Sequence, residues 1–262
     1  MDLGVPLAVG RTAEIFHWKK NQVLKLFRDD WSLDSINYEY KISKLVENAG
    51  LQVPKVFDFL EVNGRQGIIY EKIIGRSMLE SLTSKPLKIK SFGHQLANLH
   101  ESLHNEVIST LPSQRKILIR NINKVDILTT DERETILEIL GNLPDDNRLC
   151  HGDFHPDNVI LASEGPVIID WTTASQGSSI ADVARTYLIL KISTPPTGLL
   201  SKLLVRIFRS IFYNSYFTHY FRLNNLNKAI FDQWLIPIAA ARLHDNIQEE
   251  KNKLLTIIRP KL

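Results

Sequence analysis

The chain has one cysteine in 262 residues, Cys150, so no internal disulfide is possible. Its N-terminus, Met1-Asp2-Leu3-Gly4, lacks the basic start and apolar core of a signal peptide, and a reducing cytoplasm is the expected location. Long apolar runs are missing too. The most apolar segments, such as Trp234 to Ala241, fall far short of the ~20 residues that cross a bilayer, so no membrane partner is expected. There is no run of five or more basic residues, and a formal charge of +3 is too small and too scattered to argue for nucleic acid. Repeats, low-complexity tracts and Pro- or Gly-rich linkers are absent as well. What remains is ordinary globular composition, 44% hydrophobic and 23% charged, over a length that suits two domains or one bilobal one.

Polar chemistry is concentrated in one place. Leu149-Cys150-His151-Gly152-Asp153-Phe154-His155-Pro156-Asp157-Asn158 sets ionisable side chains between hydrophobic runs. Holding them near a core is costly unless each is paired or metal-bound, which makes a functional loop the economical explanation. Cys150, which leads into this loop, reads as a small buried residue and not as a nucleophile. Val159-Ile160-Leu161 and Val167-Ile168-Ile169 are β-prone runs around Ala162-Ser163-Glu164-Gly165-Pro166, so a short hairpin is predicted. Pairing Ala162 with Val167 would set Val159 against Asp170 and Asn158 against Trp171. Cross-strand neighbours have Cβ atoms about 4.5–5.5 Å apart, so an amide oxygen and a carboxylate would meet at the open mouth of the hairpin. Two oxygen ligands on a rigid support suit Mg²⁺, which leaves its other positions to water and phosphates.

Taken together, His151-Gly152-Asp153-Phe154-His155-Pro156-Asp157-Asn158 and Ile169-Asp170-Trp171 resemble the signature of the aminoglycoside phosphotransferase and choline kinase group, small-molecule kinases with a protein-kinase-like fold. Protein kinases use H-R-D-x-x-x-x-N and a later D-F-G for the same roles. The Asp-to-Asn offset here is theirs, with Gly152 in place of Arg and Trp171-Thr172 in place of Phe-Gly. The resemblance implies an α+β, bilobal fold: a small β-rich lobe over residues 1–72 that covers a nucleotide, and a larger, mostly helical lobe over 73–262 for catalysis and substrate. It implies ATP or GTP and Mg²⁺ as cofactors and a small hydroxylated molecule as acceptor. By it, Asp153 accepts the proton of the attacking hydroxyl, and Asn158 and Asp170 hold Mg²⁺ on the nucleotide phosphates. His151 steadies the loop, and Asp182, in Ile180-Ala181-Asp182-Val183-Ala184, accepts backbone N–H bonds from it. The residues alone leave a second reading of Asp182 open, as a first-turn acid favoured by the helix dipole.

The N-terminal part fits this outline. Val9 to Trp18 and Gln22 to Phe27 read as two strands around the polar turn Lys19-Lys20-Asn21, and the resemblance makes their loop, with its single glycine Gly10, the nucleotide cover. Lys25 points to the strand face opposite Leu24 and Leu26, where a lysine can pair with nucleotide phosphates once an acid orients it. Without the downstream motif it would read as a solvated lysine on an edge strand. The acid is expected on the helix that spans Ser35 to Ala49 and stops at Gly50, where Glu39 shares a face with Ile42 and Val46. Glu47, near the C-terminus of that helix, faces the wrong end of the dipole. Asn63-Gly64 turns a second hairpin, whose outgoing strand leads through Tyr70, Lys72 and Ile73 into the connector that the resemblance makes the purine-binding hinge.

Beyond Pro86, the spacing of Ile89, Phe92, Leu96, Leu99 and Leu103 predicts an amphipathic helix, on which His94, His100 and His104 read as surface or rim residues. Further helices are expected over Ile117–Leu128, Asp131–Leu140, Ile180–Ile192, Leu199–Phe221, Asn227–Leu235 and Ile238–Leu255, with Pro195-Pro196 as a break. The aromatic run Phe208, Phe212, Tyr213, Tyr216, Phe217 and Tyr220 reads as core in preference to a cage for a quaternary ammonium.

Two rival functions stay in view. Asp153-Phe154-His155 is also the D-x-H pattern of a dinuclear metal phosphoesterase, but the further ligands such a site needs are missing downstream. A catalytically silent, nucleotide-binding pseudokinase would lack Lys25, Asp153, Asn158 or Asp170, and all four are present. In the families resembled, the acceptor sits against the C-terminal helices. From Val183 onward, twelve basic residues face four acids, a balance of +8 that disfavours a polycation. Asp245 and Glu249, as i, i+4 neighbours on one helix, are the expected place to catch a small monocation.

Overall fold

The computed structural model describes residues 2–192 and 202–262. In chain order the strands are β1 (Ala8–Val9), β2 (Ala13–His17), β3 (Gln22–Phe27), β4 (Val56–Val62), β5 (Arg65–Glu71), β6 (Gly75–Ser77), β7 (Arg148–Cys150), β8 (Val159–Ala162), β9 (Gly165–Ile168) and β10 (Ser175–Gly177). The helices are α1 (Leu33–Asn48), α2 (Met78–Ser84), α3 (Ile89–His104), α4 (Gln114–Asn123), α5 (Thr130–Asn142), α6 (Ser179–Ile192), α7 (Lys202–Asn224), α8 (Lys228–Arg242) and α9 (Gln248–Ile258). Two compact units result, one made of Met1–Glu80 with Asp157–Thr173 and the other of Ser81–Pro156 with Ala174–Leu262. The motif hairpin therefore groups with the N-terminal sheet, whereas a division after residue 72 leaves it with the helices.

The first unit is built on an antiparallel sheet of order β1-β2-β3-β5-β4. The expected first strand is in fact two, because the chain doubles back at Gly10, whose N–H bonds the Ala13 carbonyl at 2.9 Å, and β1 returns against β2. Between β4 and β5, Asn63 (φ 52°) and Gly64 (φ 81°) both take the left-handed conformation that a two-residue hairpin turn demands. The alternation of β3 divides its side chains between two cores. Leu24 and Leu26 join Phe16, Val62 and Ile69 on one face, while Phe27 joins Ala13, Ile36, Val56 and Ile68 on the other, the face covered by α1. Lys25 shares the parity of Phe27 and so points toward α1.

α1 starts at Ser32, whose side chain accepts the Ser35 N–H, and ends at Gly50 with φ 79°. Glu47 accepts the Lys44 ammonium at 3.1 Å and the Val56 N–H at 3.2 Å, which ties the helix end to β4.

A three-stranded sheet of order β6-β8-β9 completes this unit. Its hairpin is tighter than expected: Ala162 pairs with Gly165 and Val159 with Ile168, and only Ser163 and Glu164 form the turn. Gly165, at φ 131°, makes the short turn possible. The shift is two residues, and because side chains alternate with period two, no residue changes face. Asn158 stands opposite Ile169, whose N–H its carbonyl accepts at 3.0 Å.

Among the described residues, the regular structure of the second unit is helical apart from the antiparallel pair β7–β10. Thr129 and Glu132 form a reciprocal capping box at the start of α5. α3 and α7 approach at Gly93, where a Cβ would lie 2.7 Å from Ser215 Cβ and 2.9 Å from the Phe212 carbonyl. The break expected before Pro237 is absent, and α8 runs through it to Arg242. A proline inside a helix costs about 3 kcal/mol, and here the burial of Phe231, Trp234, Leu235, Ile236, Ile238 and Ala239 outweighs that cost. The chain breaks later, at Asn246 in the left-handed conformation (φ 52°). Pro195-Pro196 and the expected helix start at Leu199 lie outside the described residues. No helix among the described residues is long and apolar enough to cross a membrane.

Candidate active site

In the first unit, strand parity aims Lys25 at α1 and brings its ammonium to 2.7 Å from Glu39 Oε1 and 3.2 Å from Asp170 Oδ1. Glu39 is buried and Lys25 half-buried, and Nζ also lies 5.6 Å from the centre of the Phe27 ring. Burial opposes the charge on Lys25, but Asp170 and Glu39 outweigh it and hold the ammonium above the ordinary lysine value. Tyr70 has the same parity on β5, so its hydroxyl reaches Glu39 Oε1 at 3.2 Å and Ser43 Oγ at 3.1 Å. Burial, with the Glu39 charge beside it, pushes this phenol well up and keeps it a donor. The sequence reading placed Tyr70 in the connector for its main chain and missed this side-chain role, although its spacing of two from Ile68 carries the signal.

Asp170 has a left-handed backbone at φ 61°. Such a conformation is uncommon for a residue with a side chain and costs on the order of 1–3 kcal/mol, so it persists only where neighbours enforce it. Buried Trp171 is one enforcer, its indole N–H bonding the Ile168 carbonyl at 3.0 Å, and Thr172 Oγ1 bonds Asp170 Oδ1 at 2.9 Å. Asn158 is buried at the mouth of the same hairpin. The Gly10 loop is held by Arg28, whose guanidinium donates to the carbonyls of Gly10 and Arg11, both at 3.1 Å. Along the connector, Tyr70 is paired on both sides within the sheet, the Glu71 N–H bonds the Lys55 carbonyl at 2.8 Å, and the Lys72 N–H bonds the Asn21 carbonyl at 2.9 Å. Ile73 follows, half-buried.

In the second unit, β7 delivers the chain into the loop that carries Asp153. His151 is fully buried, and its Nδ1 accepts the Asp153 N–H at 3.2 Å. Asp153 is half-exposed and lies 3.5 Å from His155 Nε2. Burial by itself would raise its pKa. The His155 contact, followed by the charges of Arg185 and His151, overrides burial and holds the carboxyl below the ordinary range. Asp182, in the first turn of α6, is 0% exposed. Its Oδ2 accepts the His151 N–H at 2.7 Å and its Oδ1 the Gly152 N–H at 2.8 Å, so the loop hangs on one buried carboxylate. Cys150 is buried beside it, and burial together with the Asp182 charge pushes the thiol well up, which keeps it protonated and inert.

One expectation fails here. His100 and His104 are not at the rim: they are buried, their Nε2 atoms 3.1 and 3.3 Å from Asp182 Oδ2, and only His94 is exposed. Their polarity argued for the surface, but the carboxylate that satisfies them comes from another helix. The two acids expected to catch a monocation do not share a helix either. Asp245 precedes the break at Asn246 and bonds Arg185 at 2.7 Å, and neighbouring Glu250 is buried in a two-pronged pair with Arg242 at 2.7 and 2.9 Å.

No curated protein matches the chain. Among solved structures it is similar to a thermostable mutant of aminoglycoside phosphotransferase APH(4)-Ia in its apo form, at 14% identity and TM-score 0.68, covering 98% of this chain and 94% of that one. It is also similar to amicoumacin kinase hAmiN in complex with AMP-PNP, Ca²⁺ and Ami, at 15% identity and TM-score 0.60, covering 97% and 86%. A choline/ethanolamine kinase family protein from Mesorhizobium loti matches at 17% identity and TM-score 0.54, covering 97% and 86%. At such identities the likeness is one of fold, and the fold is the protein-kinase-like α+β fold. The model of the family described as "Phosphotransferase enzyme family" matches residues 5–210, most of the sequence, and the chain belongs to that family.

Proposed function

We propose that the protein transfers the γ-phosphoryl group of ATP or GTP to a hydroxyl of a small molecule. The observation that carries this is Lys25 held between the carboxylates of Glu39 and Asp170. A lysine fixed this way offers a preset positive charge to nucleotide phosphates, and phosphoryl transfer depends mainly on positioning and electrostatics. The acceptor oxygen bonds to the γ-phosphorus as the bond to the bridging oxygen breaks. Nucleoside diphosphate leaves, and the hydroxyl proton passes to Asp153, whose lowered pKa keeps it ionised at neutral pH.

Asp170 and Asn158 supply one carboxylate and one amide oxygen, a hard donor set that fits Mg²⁺. Bound there, Mg²⁺ would neutralise charge on the β- and γ-phosphate oxygens. In the connector the N–H groups of Glu71 and Lys72 are engaged within the sheet, which favours the Ile73 main chain as the purine contact among Tyr70, Lys72 and Ile73. Gly10 sits close against the covering loop's own backbone, where a Cβ would stand 3.2 Å from the Ala13 carbonyl, and Arg28 fixes that loop from the side. A reducing, cytoplasmic setting suits the single buried thiol.

The acceptor is read as a neutral or anionic small alcohol. Twelve basic residues follow Val183, and two of the four acids there, Asp245 and Glu250, are committed to Arg185 and Arg242. A polycation would meet repulsion with little to offset it.

The test is a thermal-shift series with ATP and GTP, with and without Mg²⁺, followed by a panel of hydroxyl compounds read as ADP or GDP release. Stabilisation by Mg-nucleotide and acceptor-dependent release are expected. Hydrolysis of phosphoesters with no nucleotide present would sink the proposal.

A further inference from the structure

The Asp182 carboxylate is met from α3 by two imidazoles and, behind them, by two phenols from α7. Tyr216 Oη lies 2.7 Å from His100 Nδ1, and Tyr220 Oη 2.5 Å from His104 Nδ1. Each histidine then places Nε2 on the same carboxylate oxygen, Asp182 Oδ2. The arrangement is doubled because His100 and His104 are one helical turn apart on α3 and Tyr216 and Tyr220 one turn apart on α7, so two equal rungs form between the packed helices. Gly93 permits that packing: its missing side chain lets α3 approach the Tyr216 N–H to within a distance at which a Cβ would stand 3.0 Å away.

Proton counting fixes the direction of each rung. Asp182 is held ionised, since the hydrogen bonds from His100 and His104 outweigh the burial that would otherwise protonate it. An ionised carboxylate only accepts, so each Nε2 must carry hydrogen. His100 is kept neutral, lowered to about 3 by burial and by His104 beside it. Its Nδ1 is therefore an acceptor, and Tyr216 must donate. Both phenols are pushed up by burial and by the Tyr220 or Asp182 charge around them, so both hold their protons and can donate. The order is Tyr O–H to His Nδ1, then His Nε2–H to Asp182, which also receives the N–H groups of His151 and Gly152. His100 has a second hold on the loop, since its ring stacks on Phe154 at 4.2 Å, next to Asp153.

We propose that Tyr216 and Tyr220 are positioning residues for phosphoryl transfer: they lock His100 and His104 in the Nε2–H tautomer, and the locked rings fix the carboxylate from which the Asp153 loop hangs. This rests on Asp153 being the base. Without the phenols, each ring can turn its Nδ1–H outward and present a bare Nε2 lone pair to a carboxylate. That repels, and the carboxylate and loop shift. The cluster of His100, His104 and Asp182 also has the residue types of a metal site, but in the order above every ring nitrogen already has a hydrogen-bond partner.

The experiment compares the full chain with Tyr216→Phe, Tyr220→Phe, the double variant, and Tyr213→Phe as a control on the same helix. ¹⁵N–¹H spectra of the imidazoles report the tautomer, hydrogen exchange reports the His151 and Gly152 amides, and nucleotide turnover reports kcat and KM separately. Wild-type protein should show the Nε2–H form at both histidines. The double variant should show mixed tautomers, faster exchange at the two amides and a kcat about 10-fold lower, within the range that two lost hydrogen bonds allow, with nucleotide KM and Tyr213→Phe unchanged. Unaltered tautomers and amide exchange in the double variant would overturn the proposal, as would one equivalent of tightly bound metal in the purified protein. If no acceptor is ever phosphorylated, the assignment of Asp153 fails, while tautomer and exchange still decide the role of the phenols.

Discussion

Glu39 Oε1 receives two donors at once, the Lys25 ammonium at 2.7 Å and the Tyr70 hydroxyl at 3.2 Å. The two donors are not equal. Tyr70→Phe removes one neutral hydrogen bond, worth about 1 kcal/mol, and leaves the ion pair in place. Lys25→Ala strands a buried carboxylate, which costs about 3–5 kcal/mol, and also removes the charge proposed for nucleotide phosphates. Urea unfolding should rank the two variants in that order, and nucleotide KM should rise only for Lys25→Ala. Equal losses of stability would mean that Glu39 does not depend on the lysine.

Stability should fall as the pH drops from about 6.5 toward about 3, the values His100 has in the unfolded and folded states. Its folded pKa is lowered, so between these values the unfolded chain binds the extra proton, and stability is lost with falling pH at up to about 1.4 kcal/mol per unit. Asp182 acts in another window. A depressed carboxyl stabilises above the unfolded value of 3.8 and loses this contribution only below it. Urea midpoints at pH 7, 6 and 5 test the slope, which should shrink in His100→Gln. An unchanged slope in that variant would assign the effect elsewhere.

Much of this was legible from local chemistry. Asn63-Gly64 announced its hairpin because both residues had to take positive φ, and strand parity and helix periodicity brought Lys25 and Glu39 together once the downstream motif had given the lysine a purpose. The hairpin after Asn158 was read with its register two residues out, yet its faces were right because the error was even. What failed depended on distant partners. His100 looked like a surface residue because its phenol is 116 positions away on α7 and its carboxylate 82 away on α6. The helix expected to end at Leu235 runs on through Pro237, a continuation the sequence hid because spacing does not reveal how completely the proline's neighbours are buried.

Gly93→Ala tests the approach of α3 to α7. The added methyl would stand 2.7 Å from Ser215 Cβ, 2.9 Å from the Phe212 carbonyl and 3.0 Å from the Tyr216 N–H. Overpacking of this kind typically costs about 1–3 kcal/mol, and calorimetry should show a lowered Tm although alanine is the better helix former. A raised Tm would show that the helices can part freely.

Asp170→Gly separates stability from function. Glycine takes φ 61° without the roughly 1–2 kcal/mol that the left-handed region costs an ordinary residue, which offsets the lost contact with Lys25, so unfolding measurements should find a stability close to that of wild type. Turnover of Mg-nucleotide should nevertheless be lost, because Asp170 is the proposed carboxylate ligand. Retained turnover would remove Asp170 from the metal site.

The central claim is that Asp153 takes the acceptor's proton, and Asp153→Asn tests it most directly, since the amide keeps the shape of the side chain and loses the base. With kcat measured at saturating nucleotide and acceptor, and Mg-nucleotide Kd measured on the same preparation, kcat should fall by about 10²–10⁴-fold while Kd stays unchanged. An undiminished kcat, or a loss confined to Kd, would contradict the account.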